Sequence, residues 1–284
     1  MSNKWEKVYR KYLYDADLSY SELGKVMEQF CPKKLYRYMR FDDYWEKNIF
    51  DGQVYLSEAA NLNDPFDCLV YINHKAYIEH MFQSVCKIFP QIDRGVLRET
   101  VKSSINEEID KQLYNMKKKF RVACFTENNT SPLMWAHYSD SHMGFCLEYD
   151  LEKLPKGYRY GILPVIYTDK RYDATNDIVT RNENLLMNPY YFKSSHWKYE
   201  KEWRMVIPEN VVTDKEYFAD FHEGISGIYL GLKSLEYHKE KIDKIKEKYF
   251  QKDAKAIPAL TLWRIYRESS TQLRRLQWIL KMHK

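Results

Sequence analysis

The sequence predicts an α+β protein with a mixed or antiparallel, strand-rich core and three helical additions. Three observations lead there. Short segments rich in Tyr, Phe, Val and Ile, bounded by turn-forming residues, recur along the chain without a helix between each pair. Helical periodicity is gathered instead into blocks near residues 1–30, 72–119 and 233–250. The nine glycines form neither GxGxxG nor a phosphate loop ending in GK[ST], so a doubly wound nucleotide fold is not predicted.

Taken in order, residues 1–32 mix Trp, Tyr, Leu, Lys and Glu at helical spacing and end at Cys31-Pro32, a helical preamble. "KKLYRYMRF" (33–41) reads as a strand, "DDYWEKNIFDG" (42–52) as a helix stopped by Gly52, and "QVYLSEA" (53–59) as a second strand. "NLNDPFD" (61–67) is a turn, in which Asn63, Asp64 and Asp67 bond nearby backbone and Pro65 fixes its own φ. Two helices split by Pro90 form an insert over 72–119. Strands follow at 121–128, 143–150, 161–169, 197–207, 224–231 and near 256–267, with a short helix at 131–140 and a charged one at 233–250. The organisation is a single domain over 33–267, then a basic helical tail, 268–284, carrying Arg274, Arg275, Lys281 and Lys284.

At 44% hydrophobic and 30% charged the chain is too apolar for disorder, and no window approaches the roughly 20 apolar residues of a membrane helix. Five cysteines without a CxxC pair argue against a disulfide framework or zinc ribbon. Charge and aromatics occupy the first residues, where a signal peptide carries an apolar run, so a cytoplasmic, thiol-reduced protein with no membrane partner is expected. The net charge of +5 and the 25 tyrosines are compatible with a polyanionic partner or a phosphate-bearing ligand and demand neither.

The candidate chemistry centres on "SSHWKYEKEWRMVI" (194–207). From Tyr199 onward the pattern alternates, placing Tyr199, Lys201, Trp203, Met205 and Ile207 on one face and Glu200, Glu202, Arg204 and Val206 on the other. A solvent-facing edge strand accounts for such a face without function; a cleft wall is the alternative. His137 and His142, with Asp140 between them, lack the spacing of a metal motif, and Cys124 and Cys146 sit in apolar strands where a thiolate is costly, so no metal site or cysteine nucleophile is expected. Asp64, Asp67, Glu148 and Asp150 form no metal–carboxylate pattern of a nuclease.

Together "LYRYM", "S…NDPF", "MW.HY….G" and "W.YE.EWR" resemble an uncharacterised prokaryotic domain family associated in part with abortive-infection and phage-defence loci, over about residues 33–267. The same order is remotely similar to the ADP-ribosyltransferase fold. That resemblance implies NAD as substrate, Arg37 on an early strand and Ser57 on the next as NAD contacts, and a Glu pair in E-x-E form, here Glu200 and Glu202. It implies that Glu202 stabilises the cationic ribose while gripping its 2′-hydroxyl, and that Glu200 orients the acceptor or takes its proton. On the same resemblance Arg204 is expected to keep both carboxyls ionised or to clamp a phosphate, Tyr38, His137 and Tyr138 to line the cofactor cleft, and Trp203 to anchor the core on the other face.

The expected function is therefore an ADP-ribosyltransferase-like toxin or defence effector acting on nucleic acid or protein, with a neighbouring-gene regulator as a further partner. The alternative is a non-catalytic module that senses a nucleotide or a phage component. The Glu pair separates them, because only a transferase needs a carboxylate at the ribose.

Overall fold

The aromatic and β-branched runs do become strands, and what they build is one large sheet with a fork in it. The computed structural model describes residues 4–13, 19–180, 186–211, 217–250, 261–267 and 273–277. Its strands are β1 (Lys34–Met39), β2 (Gln53–Tyr55), β3 (Ser57–Glu58), β4 (Val70–Tyr71), β5 (Phe120–Thr126), β6 (Phe145–Asp150), β7 (Ile162–Pro164) and β8 (Ile166–Thr168). They continue as β9 (Tyr172–Asp173), β10 (Phe192–Ser194), β11 (Glu202–Pro208), β12 (Phe218–Asp220), β13 (Ile225–Leu230), β14 (Thr261–Arg267) and β15 (Leu273–Gln277).

Among the described residues nine strands form one sheet in the order β15-β14-β13-β6-β1-β5-β11-β7, with β3 also on β5. All pairings in it are antiparallel except β13 with β14. β5 pairs with β11 along its length from Phe120 to Thr126. Its other edge is shared: β1 meets it only at Tyr36 opposite Thr126, and β3 meets it at Ser57 opposite Val122. Between those two bridges the sheet opens, and the cavity described below sits in the opening.

Each face of the sheet has its own core. Trp203, Met205, Ala123, Phe125, Leu35 and Tyr149 pack on one side with Trp45, Ile49 and Phe221. Val206, Val122 and Leu163 face the other side, where they meet Tyr190 and Tyr191 and the N-terminal helices α1 (Lys4–Leu13) and α2 (Tyr20–Met27). Ser19 caps α2 in a reciprocal box with Glu22, and the ring of Tyr20 stacks on Tyr191 at 5.9 Å. Gly52, at φ +65°, ends the turn after helix α3 (Trp45–Phe50), as expected from sequence. The insert is the helical pair α4 (His74–Ile88) and α5 (Arg94–Lys119), capped by Asn73 and Asp93. Among the described residues no helix is long and apolar enough to cross a membrane.

Three sequence expectations are corrected. The strand expected over 197–207 begins only at Glu202. Residues Ser195–Glu200 form a 3-10 turn, and Lys201 at φ +46° reverses the chain, its carbonyl accepting from the Glu127 N–H. Within the tail expected to be helical, Leu273–Gln277 is strand β15, paired with β14, so Arg274 and Arg275 lie on a strand; Lys281 and Lys284 lie outside the described residues. The expected strands at 53–59 and 161–169 each break in two, at Leu56 and Val165: these residues still donate in register to the Tyr217 and Glu202 carbonyls, and beyond them the chain changes partner, β3 moving to β5 and β8 to β10.

The glycine of the "MW.HY….G" pattern has a structural duty. Asp140, Ser141 and His142 all carry positive φ, and the loop closes by Gly144 N–H donating to Ser139 O at 2.7 Å. A Cβ on Gly144 would lie 2.0 Å from the Met39 carbonyl oxygen of β1. Gly144→Ala is therefore expected to cost at least about 2 kcal/mol through a forced backbone shift, read as a lower midpoint in urea unfolding with an unchanged slope.

Candidate functional site

The site is assembled from four segments, each held by ordinary local chemistry. In the turn "NDPFDC", Asp64 Oδ1 accepts from the Phe66 N–H at 2.9 Å and Asp64 O from the Asp67 N–H at 3.0 Å. That turn throws Asp67 inward. Helix α6 (Pro132–Tyr138) is capped by Ser131 and anchored by the buried Trp135, whose Nε1 donates to Asn129 O at 2.8 Å. Its last turn therefore presents His137 and Tyr138. β10 lies parallel to β8, with Lys193 opposite Tyr167, and the 3-10 turn and β11 deliver Glu200, Glu202 and Arg204.

These side chains form one buried ion-pair network. Glu200, Glu202 and Arg204 are 2%, 5% and 0% exposed, so the edge-strand explanation of the charged face is excluded. Arg204 makes a fork with each of two carboxylates. Its Nε donates to Glu202 Oε1 at 2.6 Å and Nη2 to Glu202 Oε2 at 3.0 Å, while Nη1 and Nη2 donate to the two Asp67 oxygens at 2.9 and 2.6 Å. Nη1 also donates to Tyr190 O at 2.7 Å. Lys193 Nζ joins the carboxylates, donating to Glu200 Oε2 at 2.6 Å and Glu202 Oε2 at 3.0 Å, with Asp67 Oδ2 at 3.4 Å. Tyr138 OH donates to Glu200 Oε1 at 2.5 Å and accepts from Asn63 Nδ2 at 3.0 Å.

Three carboxyls thus share two cations, and their environments separate them. Burial would raise the Glu202 carboxyl, but Arg204 and then Lys193 outweigh it and hold it well below the usual carboxylate range. Glu200 is pushed up to about 7, first by burial and then by the charge of Glu202, against the pull of Lys193. One carboxyl is locked as an anion and its neighbour exchanges a proton near neutrality, the division of labour that acid–base sites use. Burial and then the Glu200 charge raise the Tyr138 hydroxyl, which keeps it a donor.

All eight residues singled out from the sequence line one cavity of about 870 Å³: Arg37, Tyr38, Ser57, His137, Tyr138, Glu200, Glu202 and Arg204. Their positions within it differ. Arg204, expected either to keep the carboxyls ionised or to clamp a phosphate, spends its donors inside the protein and holds Glu202 as an anion. Arg37 lies on the other face of the sheet, its guanidinium 5.9 Å from the Phe125 ring, with Nη2 donating to Tyr55 O and Nη1 buried without a hydrogen-bond partner. Tyr38 is buried against Trp135, ring centroids 5.0 Å apart, and its hydroxyl donates to Asn128 O at 2.8 Å. His137 is exposed at the rim. Trp203 is a core residue, as read from sequence.

Sequence reasoning missed Lys193 and assigned Asp67 to the turn. Asn-Asp-Pro accounts for Asp64 alone, so the second aspartate was the available signal for a buried role. The other acidic candidate, Glu148, is occupied elsewhere, accepting from Lys34, Ser226 and Tyr229. Among the described residues no group of three or more His, Cys, Asp or Glu is placed to hold a metal ion.

Against known families, residues 134–205 match the model described as Protein of unknown function (DUF2971). The matched stretch carries His137, Tyr138, Lys193, Glu200, Glu202 and Arg204, and its description includes neither abortive infection nor ADP-ribosyl transfer. No curated protein and no solved structure matches the chain.

Two outcomes follow from the network. Arg204→Met strands two buried carboxylates and is expected to destabilise by about 3–5 kcal/mol in chemical unfolding; Arg204→Lys keeps the charge but loses the fork, and is expected to be destabilised as well. For pH, the folded Glu200 binds its proton more tightly than the unfolded chain does. Its stabilisation is complete below the unfolded value of 4.5 and is lost as pH rises to about 7. Glu202 has the opposite sign, stabilising above 4.5 and losing that contribution as pH falls toward its depressed value. In thermal melts across pH 4.5 to 7 the Tm of Glu200→Gln is expected to rise relative to wild type.

Proposed function

We propose that the cavity binds NAD and cleaves its nicotinamide–ribose bond, passing ADP-ribose to a nucleic-acid or protein acceptor, so that the chain works as an ADP-ribosyltransferase-like toxin or defence effector. The observation that carries this reading is the buried carboxyl pair with separated proton affinities: Glu202 fixed as an anion, Glu200 poised near 7, both in the wall of one cavity with Ser57 and Arg37. The chain order that carries the resemblance is Arg37, on β1, then Ser57, on β3, then Glu200 in the 3-10 turn and Glu202 on β11.

The roles follow from what each side chain has left to give. As the bond between nicotinamide nitrogen and ribose carbon breaks, its electron pair leaves with nicotinamide and positive charge develops on the ribose. Glu202 supplies a fixed negative potential at that position; its oxygens are already bound by Arg204 and Lys193, so it acts through its field more than by gripping a hydroxyl. Glu200 takes the proton of the attacking acceptor atom, a task for which an affinity near 7 is suited. Arg37, with a guanidinium nitrogen still unpaired, is the cation for the pyrophosphate.

A second reading, a module that binds a nucleotide without turnover, is favoured by the same saturation of Glu202. Nicotinamide release from NAD, with cell lysate as the acceptor source, separates the two. The transferase reading expects release that rises with pH through about 7 and falls by about 100-fold or more in Glu200→Gln while NAD still binds. NAD binding with no release from either protein establishes the module instead.

A further inference from the structure

Beside the mouth of the cavity, next to Glu200, three aromatic rings form a cluster that no step above uses. His137 of α6 lies 6.3 Å from the Trp197 ring and 6.4 Å from the Tyr199 ring, and Trp197 and Tyr199 are 6.0 Å apart. His137 is exposed and the other two residues are half-buried, so all three keep surface within reach of a ligand. In the same segment His196 and Lys198 flank Trp197, Lys201 follows Glu200 at the end of the turn, and all three are exposed. Among the described residues none of these three has an ion-pair partner, and the nearby carboxylates are occupied, Asp169 by the Ser195 hydroxyl and Glu127 by Trp203 Nε1. The Trp197 face also lies 5.2 Å from Lys193 Nζ, the cation that bonds Glu200.

We propose that Ser195–Lys201 and His137 form a stacking platform for single-stranded nucleic acid, and that the acceptor of the transfer is a base held there. Every base has a face to stack, and the exposed Lys198 and Lys201 beside the rings meet the backbone phosphates, the combination by which proteins hold single strands. A duplex hides its base faces and lacks this mode. As an acceptor subsite the platform rests on the transferase reading: a base nitrogen forms the bond to the ribose carbon, its proton passes to Glu200, and nicotinamide leaves with the electron pair. As a binding surface it stands without that reading.

The test is fluorescence anisotropy of labelled 12-nucleotide DNA and RNA strands, and of the DNA duplex, with the full chain and no NAD. Single strands are expected to bind more tightly than duplex. Trp197→Ala is expected to weaken binding by about 5- to 100-fold, the loss of one stacked base, with Tyr199→Leu as the second variant should the first fail to fold. The exposed pair His196→Glu and Lys198→Glu is expected to weaken binding and flatten its dependence on salt. Equal affinity for strand and duplex, or unchanged affinity in both aromatic variants, overturns the platform and points to a protein acceptor. Nicotinamide release is read separately, so intact strand binding without release removes the transferase reading and leaves the platform standing.

Discussion

The arrangement depends on Arg204. A guanidinium with no exposure is tolerable only if every donor is used and its charge is met, and here Glu202 and Asp67 supply both carboxylates while Tyr190 supplies a carbonyl. These partners come from separate places in the chain: the strand itself, the turn after β3, and the segment before β10. Satisfying one side chain therefore fixes the relation of β11 to two separate loops. The fork geometry gives direction as well as charge, which a lysine at 204 would lack.

Once Arg204 and Lys193 have fixed Glu202 as an anion, the state of Glu200 follows. It is buried beside a permanent negative charge, so its own ionisation is opposed. Lys193 bridges the two and limits how far that opposition goes. Tyr138, a donor to Glu200 Oε1, and Asn63, a donor to Tyr138, orient the carboxyl without competing for its proton. In the proposed reaction Glu200 is therefore the group that exchanges a proton, and the more deeply committed Glu202 tunes it.

How much of this was legible follows from which signals are local. The sharing of one wall by Glu200, Glu202 and Arg204 was legible, because charge at spacing two within an apolar run is a strong pattern. The reason offered for it was only partly right. Glu202 and Arg204 share a strand face, but Glu200 arrives from a 3-10 turn through the left-handed Lys201, a conformation no pattern of period two announces. Lys193 was hidden in a three-residue strand, and Asp67 behind a turn whose chemistry needed only Asp64. The helical insert was plain from periodicity. β15 was not, because "LRRLQ" fits a basic amphipathic helix as well as a strand, and its pairing with β14 is a long-range fact.

The fork in the sheet explains why Arg37 reaches the same cavity as the carboxyls without pairing with them. In an unbroken sheet Arg37 and the carboxyls would lie on opposite faces, separated by a layer of backbone. Where β1 and β3 divide the edge of β5, that layer is missing, and the cavity runs from the carboxylate wall to the Arg37 side. Neither end can relieve the other by a direct ion pair, so the negative wall turns to Lys193 and Arg204, and Arg37 keeps a buried nitrogen unpaired. On the proposed reading, a ligand that develops positive charge at one end and carries phosphate at the other would meet both ends at once. Phosphate alone serves only the Arg37 side, and a simple cation only the carboxylate wall.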